Sequence, residues 1–214
     1  MLEELAVPYQ HVVAAAPQSP EVKNYNPLGK VPVLVEPDGF VLYESVAINT
    51  YLGDKYRCPI KDNKNNTTPL VPSADDTRQR ALYNQTMSVL STELDTQGLW
   101  IHRKHESMGH VFTYIPDAVT HARKQFHKTN RTLMQQLKNN SQGPYLLGTD
   151  FTAADIFYVH CLDWSTSIGW NDKWKEDPVM IQYLKLCQER PAYIKVKAIR
   201  TAENAASKRN SSNL

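Results

Sequence analysis

Apolar residues recur along this chain with two different periods. Over the first quarter they come in short β-prone runs at residues 9–13, 33–36 and 41–43. The last two are joined by Pro37-Asp38-Gly39, whose Asp-Gly pair predicts a hairpin. Ser45 stands where the next helix should start, and Ile48, Tyr51, Leu52 and Lys55 share one face of it. This region ends near Tyr56. From Asp76 the period becomes helical. Tyr83, Met87, Leu90 and Leu94 step at four, three and four residues. Ala118, Ala122, Phe126, Thr129, Leu133 and Leu137 form the stripe of a second long helix. The stretch between them, residues 100–114, predicts a bend. After a turn at Gly148-Thr149-Asp150, the sequence Thr152-Ala153-Ala154-Asp155 predicts a capping box. The helix it opens, to about Ser165, is apolar on several sides (Ala153, Phe157, Cys161 and Trp164; Ile156 and Val159) and belongs at the centre of a bundle. Two more helices are expected at residues 178–189 and 191–205, the latter with proline at its first position.

Between these regions the pattern breaks. Pro59, Pro69 and Pro72 interrupt regular structure, and residues 61–68 are polar and asparagine-rich without periodicity. The expected organisation is therefore a small α/β domain at 1–57, a linker at 58–75, an all-helical domain at 76–206 and a frayed tail at 207–214.

Composition narrows the setting. The 214 residues are 41% hydrophobic and 21% charged with a net charge of +2, as expected of a globular chain. Acidic and basic residues interleave, which argues against nucleic acid or an acidic membrane as partner. The basic stretch 121–128 reads as a solvated helix face. Cys58, Cys161 and Cys187 are far apart and form no C-x-x-C, so they fit a reducing compartment rather than a disulfide framework or zinc site. The beginning has no cationic region, and its only apolar run, residues 12–16, is too short for a signal peptide or membrane anchor. A cytoplasmic protein is expected. His105 and His110, beside Glu106 and His102, are spaced by five rather than the four that puts two imidazoles on one helix face, so no metal site is expected.

Two segments resemble the glutathione transferases. One is Asn26-Pro27-Leu28-Gly29-Lys30-Val31-Pro32-Val33-Leu34 followed by Leu42-Tyr43-Glu44-Ser45-Val46-Ala47-Ile48 and Tyr51-Leu52. The other is Gly143-Pro144-Tyr145-Leu146-Leu147-Gly148, then Phe151-Thr152-Ala153-Ala154-Asp155-Ile156, and later Arg190-Pro191-Ala192-Tyr193. The resemblance runs from Met1 to about Ala202. It implies a thioredoxin-like α/β N-terminal domain, with its first strand absent, joined to an all-α C-terminal domain.

The resemblance also implies a binding site. The Val31–Pro32 bond should be cis, leaving the Val31 N–H and C=O to pair with the cysteinyl backbone of glutathione as a further strand does. Ser45, at a helix start, would hold the γ-glutamyl carboxylate, and Glu44 its ammonium. Lys30 is placed to meet the glycyl carboxylate. For the second substrate, a small apolar electrophile, Trp100, Tyr114 and Trp164 are candidates; Trp170 and Trp174 read rather as packing aromatics. Asp155 reads as the anchor of its helix, not as a catalytic acid. No cofactor is expected beyond glutathione as co-substrate, and a homodimer is implied.

One part of the family pattern has no counterpart here. A free thiol titrates near ~8.5, and the family stabilises the thiolate with a Tyr, Ser or Cys after its first strand. Residues 2–9 resemble the end of the helix that follows, so the catalytic residue is expected upstream of Met1. Tyr9 falls at a strand entry and reads as structural. The resemblance leaves three functions open: a transferase conjugating glutathione to electrophiles, a non-catalytic binding or scaffold protein of the same fold, as in elongation factor gamma subunits, and, more remotely, maleylacetoacetate isomerase-like chemistry.

Overall fold

The Asp-Gly turn forms as predicted. In the computed structural model, which describes residues 1–13, 18–57, 60–61, 67–109 and 111–211, strand β1 (Val33–Val35) pairs antiparallel with β2 (Val41–Tyr43). The register sets Val33 opposite Tyr43 and Val35 opposite Val41. Asp38 accepts from the Phe40 N–H (2.9 Å), and Gly39 takes the positive φ of 89° that the turn requires. Ahead of the hairpin lies a short helix absent from the sequence reading, α1 (Pro20–Lys23), capped by the Ser19 hydroxyl and opened by Pro20. Helix α2 (Ser45–Lys55) follows the hairpin. Its Ile48 and Leu52 are buried, and Lys55 pairs with Glu36.

Residues 9–13 are not a strand. A strand needs a ladder partner for its N–H and C=O groups, and no described strand lies alongside. Val12 and Val13 are 75% and 66% exposed. Side chains hold the segment instead: the Tyr9 hydroxyl donates to Glu3 (3.0 Å), and His11 Nδ1 lies 2.9 Å from Glu203. The first turn is itself clamped to the far end of the chain. Arg190 donates to both oxygens of Glu4 (2.8 and 2.7 Å) with its guanidinium over the Phe151 ring, and Lys195 meets Glu3 at 2.8 Å.

The expected linker is more structured than its composition suggests. Within it a two-residue hairpin pairs β3 (Ile60–Lys61) with β4 (Thr67–Thr68). Leu70 and Val71 are fully buried, and the Leu70 carbonyl accepts from the Ala153 N–H (2.8 Å). Val71 lies against Gly53 of α2 so closely that a Cβ there would run into it. Two apolar residues among prolines and asparagines thus pin the two layers together. Cys58 and residue 59, residues 62–66 of the linker, 14–17 of the apolar run, His110 and 212–214 of the tail lie outside the described residues.

In the helical region, α3 (Thr77–Val89) starts with the Asp76 carboxylate on the Gln79 N–H. Tyr83, Met87, Leu90 and Leu94 are all buried, as their spacing predicts. The helix then widens. Leu90–Leu99 is π-helical, α4 (Trp100–His102) is a single α-turn, and Arg103–Ser107 is π-helical again. The stretch expected to bend, residues 100–114, opens with α4 and the second π segment, whose i→i+5 bonds depart from the α-helical pattern. Helix α5 (Pro116–Asn139) buries Ala122, Phe126, Thr129, Leu133 and Leu137, and Gly98 allows the first π segment to approach Phe126. Helix α6 (Ala153–Ser167) packs against α2, α3, α7 (Pro178–Gln188) and that π segment, the central position its all-round apolarity predicts. The last helix, α8 (Pro191–Ser211), continues past the expected start of the tail. No described helix is long and apolar enough to cross a membrane.

Candidate functional site

The site grows from the end of the β1–β2 hairpin. Because Val33 faces Tyr43 as the terminal pair, the residues before β1 and after β2 emerge side by side. Those residues are Val31-Pro32 and Glu44-Ser45.

The loop leading to Val31 is held by the side chains of Asn26 and Gln18. Asn26, buried to 1% exposure, donates to the Lys30 carbonyl (2.8 Å) and accepts from the Leu28 N–H (3.0 Å). Gln18 donates to the Leu28 carbonyl (2.8 Å), and its N–H bonds Gly29 O (2.9 Å). Gly29, at φ 64°, turns the chain. The Val31–Pro32 peptide is cis. Val31 is 47% exposed, and among the described residues neither its N–H nor its C=O takes a partner. A short main-chain stretch is thereby left open for one more extended strand.

On the other side of the hairpin, Glu44 sits at φ 72°, a left-handed conformation uncommon for a residue with a side chain. The Ile48 N–H bonds its carbonyl (2.9 Å), so the helix is already under way at Ser45, which is the first helical residue rather than the cap. Glu44 makes no side-chain cap bond. The free N–H groups and positive end of α2 therefore face outward with the Ser45 hydroxyl beside them, a ready anion site.

The helical region supplies the opposite wall. Lys30 Nζ lies over the Trp100 ring, 5.8 Å from its centroid, and Trp164 meets the same indole edge-on at 6.0 Å. Trp100 and Trp164 thus come together beside Lys30. Tyr114 does not join them: it stands in the 108–115 loop, 60% exposed, packed near Gly109. Trp170 and Trp174 are buried, with Trp170 edge-on to His102 and tilted against Phe126 as packing aromatics are.

A further acid belongs to this wall. Asp95 lies in the first π segment, one turn before Trp100, with Oδ1 sealed from solvent and unbonded among the described residues. Burial, reinforced by the nearby Glu44 charge and opposed by Lys30, pushes its pKa up to about 6. Asp95 thus feels the charges of Glu44 and Lys30, which come from two other segments. Periodicity could not reveal this, because it marks apolar stripes and says nothing of which charges from distant segments meet an acid beside them. The only hint was an acid placed directly after buried Leu94.

The remaining titratable groups are engaged elsewhere. Asp155 is fully buried. It accepts from the N–H of Leu146 (3.0 Å), the N–H and hydroxyl of Thr152 (2.9 and 3.0 Å) and the Tyr183 hydroxyl (3.0 Å). The capping box forms, and Asp155 is a folding anchor. Burial raises its pKa while these four bonds act against that rise. Burial also pushes the Cys161 and Cys187 thiols up, which keeps them protonated. The Tyr9 hydroxyl is raised by burial and then by Glu3. His102 Nε2 lies 3.4 Å from Glu106, while His105 Nδ1 is 2.7 Å from the Thr113 carbonyl. Among the described residues no group of three potential ligands is placed to hold a metal.

With this geometry in place, comparison with known proteins is informative. Two family profiles match: the glutathione S-transferase N-terminal domain over residues 1–55 and the glutathione S-transferase C-terminal domain over residues 116–185. Glutathione S-transferase hmp2 of Hypomyces subiculosus is 26% identical over 207 residues, covering 92% of this chain and 90% of that protein. Glutathione S-transferase PM239X14 of Arabidopsis thaliana is 31% identical over 139 residues, 64% of this chain and 58% of its own. Among solved structures, glutathione transferase URE2P8 of Phanerochaete chrysosporium, with oxidized glutathione, superposes with a TM-score of 0.73 at 26% identity. It covers 95% of this chain and 88% of its own.

Proposed function

The chain belongs to the glutathione S-transferase superfamily, and on that premise we propose that it binds glutathione at the end of the β1–β2 hairpin and transfers its sulfur to a small, largely apolar electrophile. The observation that carries this reading is the register of the hairpin. By setting Val33 against Tyr43 it brings the open backbone of Val31 beside the exposed start of α2 at Ser45.

Each part of the tripeptide then has a partner of matching chemistry. The cysteinyl backbone pairs with the N–H and C=O of Val31. The γ-glutamyl carboxylate meets the Ser45 hydroxyl and the α2 N–H groups. Its ammonium falls between Glu44 and Asp95, two carboxyl groups that repel one another until a cation separates them. Lys30 takes the glycyl carboxylate. The thiol is left facing the Trp100–Trp164 pair, whose edge-on rings offer the electrophile an aromatic corner. In the transfer, the glutathione sulfur forms a bond to the electrophilic carbon, the leaving group departs with its bonding pair, and the thiol proton passes to solvent. The same reading carries a cytoplasmic homodimer without a further cofactor.

Calorimetric titration with glutathione, followed by turnover of 1-chloro-2,4-dinitrobenzene, tests the proposal. Binding with a rate above that of free glutathione is the expected result. Binding without turnover leaves a glutathione-binding protein and removes the transferase. If millimolar glutathione gives no heat and no amide protection at Glu44 and Ser45, the site itself is refuted.

A further inference from the structure

Among the described residues three arginines are only partly exposed to solvent: Arg80, Arg103 and Arg190. Two of them are matched. Arg80 engages both oxygens of Asp54, and Arg190 both oxygens of Glu4. A guanidinium presents its donors in a planar fork suited to a carboxylate, and removing such a group from water is costly unless the fork is filled. Arg103 has no carboxylate among the described residues. Glu106, one turn further on, is turned to His102. What Arg103 has instead is Trp100, with Cζ 5.4 Å from the ring centroid.

That indole is the wall assigned above to the electrophile. It is touched by Lys30 from the loop, by Arg103 from the second π segment and by the edge of Trp164 from α6. Two cations on one aromatic surface form an anion-seeking site with a flat floor. Lys30 stands next to Val31 and is committed to the glycyl carboxylate, and Asp95 offsets part of its charge. Arg103 is not committed. We propose that Arg103 selects acceptors, recognising a carboxylate at the edge of an aromatic or conjugated electrophile whose body fits the corner made by the edge-on rings of Trp100 and Trp164. This rests on the conjugating reading and adds to it a substrate class: anionic aromatic electrophiles, preferred over neutral ones of the same shape.

The test compares 4-chloro-3,5-dinitrobenzoate with neutral 1-chloro-2,4-dinitrobenzene. In both, sulfur bonds to the ring carbon, chloride leaves with the bonding pair and the thiol proton goes to buffer. Each kcat/KM is divided by the uncatalysed rate with free glutathione, and the anionic-to-neutral ratio is the readout. The expected ratio is well above one. It falls about tenfold in Arg103→Met, as for loss of one charge-assisted pair, and is partly kept in Arg103→Lys. A ratio unchanged within about twofold overturns the proposal. So does a raised KM for glutathione with the ratio intact, since Arg103 would then serve the glycyl carboxylate. If neither compound is conjugated, the transferase reading fails while Arg103 remains testable. Quenching of tryptophan fluorescence by 3,5-dinitrobenzoate should then weaken in Arg103→Met relative to quenching by 1,3-dinitrobenzene, and equal weakening of both overturns the assignment.

Discussion

Replacing Asp95 by asparagine keeps its shape and removes its charge. The folded protein holds this carboxyl at a pKa of about 6 against a reference of 3.8. Two pK units correspond to about 3 kcal/mol of preference for the neutral form. The sign follows from proton binding. Below pH 4 the group is protonated in both the folded and the unfolded chain and contributes nothing. Between pH 4 and 6 the unfolded chain ionises it while the folded chain resists, so stability falls as pH rises. Above pH 6 the full penalty is present. Asp95→Asn should therefore match the parent near pH 4 and exceed it by up to about 3 kcal/mol at pH 7. Urea unfolding of both proteins between pH 4 and 7.5 measures this, and subtracting the two curves cancels the other carboxyls. Glutathione supplies a cation between Asp95 and Glu44, so at saturating ligand the advantage of the variant should shrink and its affinity should be lower than the parent's. A stability difference that does not vary with pH, or a variant less stable at pH 7, refutes the reasoning.

Other expectations are simpler to state. Ser45→Ala keeps the α2 N–H groups but loses the hydroxyl, and should weaken glutathione binding by about 1–2 kcal/mol in calorimetry without altering Tm by more than a few degrees. Asp155→Ala leaves donors from Leu146, Thr152 and Tyr183 without an acceptor in the core, and should cost about 3–5 kcal/mol in urea unfolding. Gly53→Ala forces Val71 away from α2 and should cost about 1–3 kcal/mol. Amide exchange should locate the loosening in α2 and residues 70–71.

Where the sequence was legible, one physical rule sufficed. The Asp-Gly hairpin, the burial of Tyr83, Met87, Leu90 and Leu94, and the central place of α6 follow from turn chemistry and periodicity alone. The capping box was readable because Thr152 and Asp155 stand three residues apart. Failures came where structure depends on partners distant in sequence. Residues 9–13 have strand composition but no described neighbour to pair with. Leu70 and Val71 are two apolar residues in a polar, proline-broken stretch, and nothing local announces that both are buried. Ser19-Pro20 starts a helix of only four residues, too short to leave an apolar period in the sequence. For the site, motifs pointed to Val31, Pro32, Glu44 and Ser45, whereas Asp95 and Arg103 acquire meaning only from a π-helical wall.

The clamp of Glu4 by Arg190 bears on the order of events during synthesis. A ribosome releases the chain in sequence order, yet the turn that holds Glu4 is completed by an arginine made 186 positions later. The opening segment must wait, with Glu3, Glu4 and Tyr9 in solvent, until nearly everything downstream has emerged. Nascent domains ordinarily settle in the order they are made; here residues 3–9 lock only after a partner made much later has emerged, a vulnerable interval for proteases and chaperones to act upon.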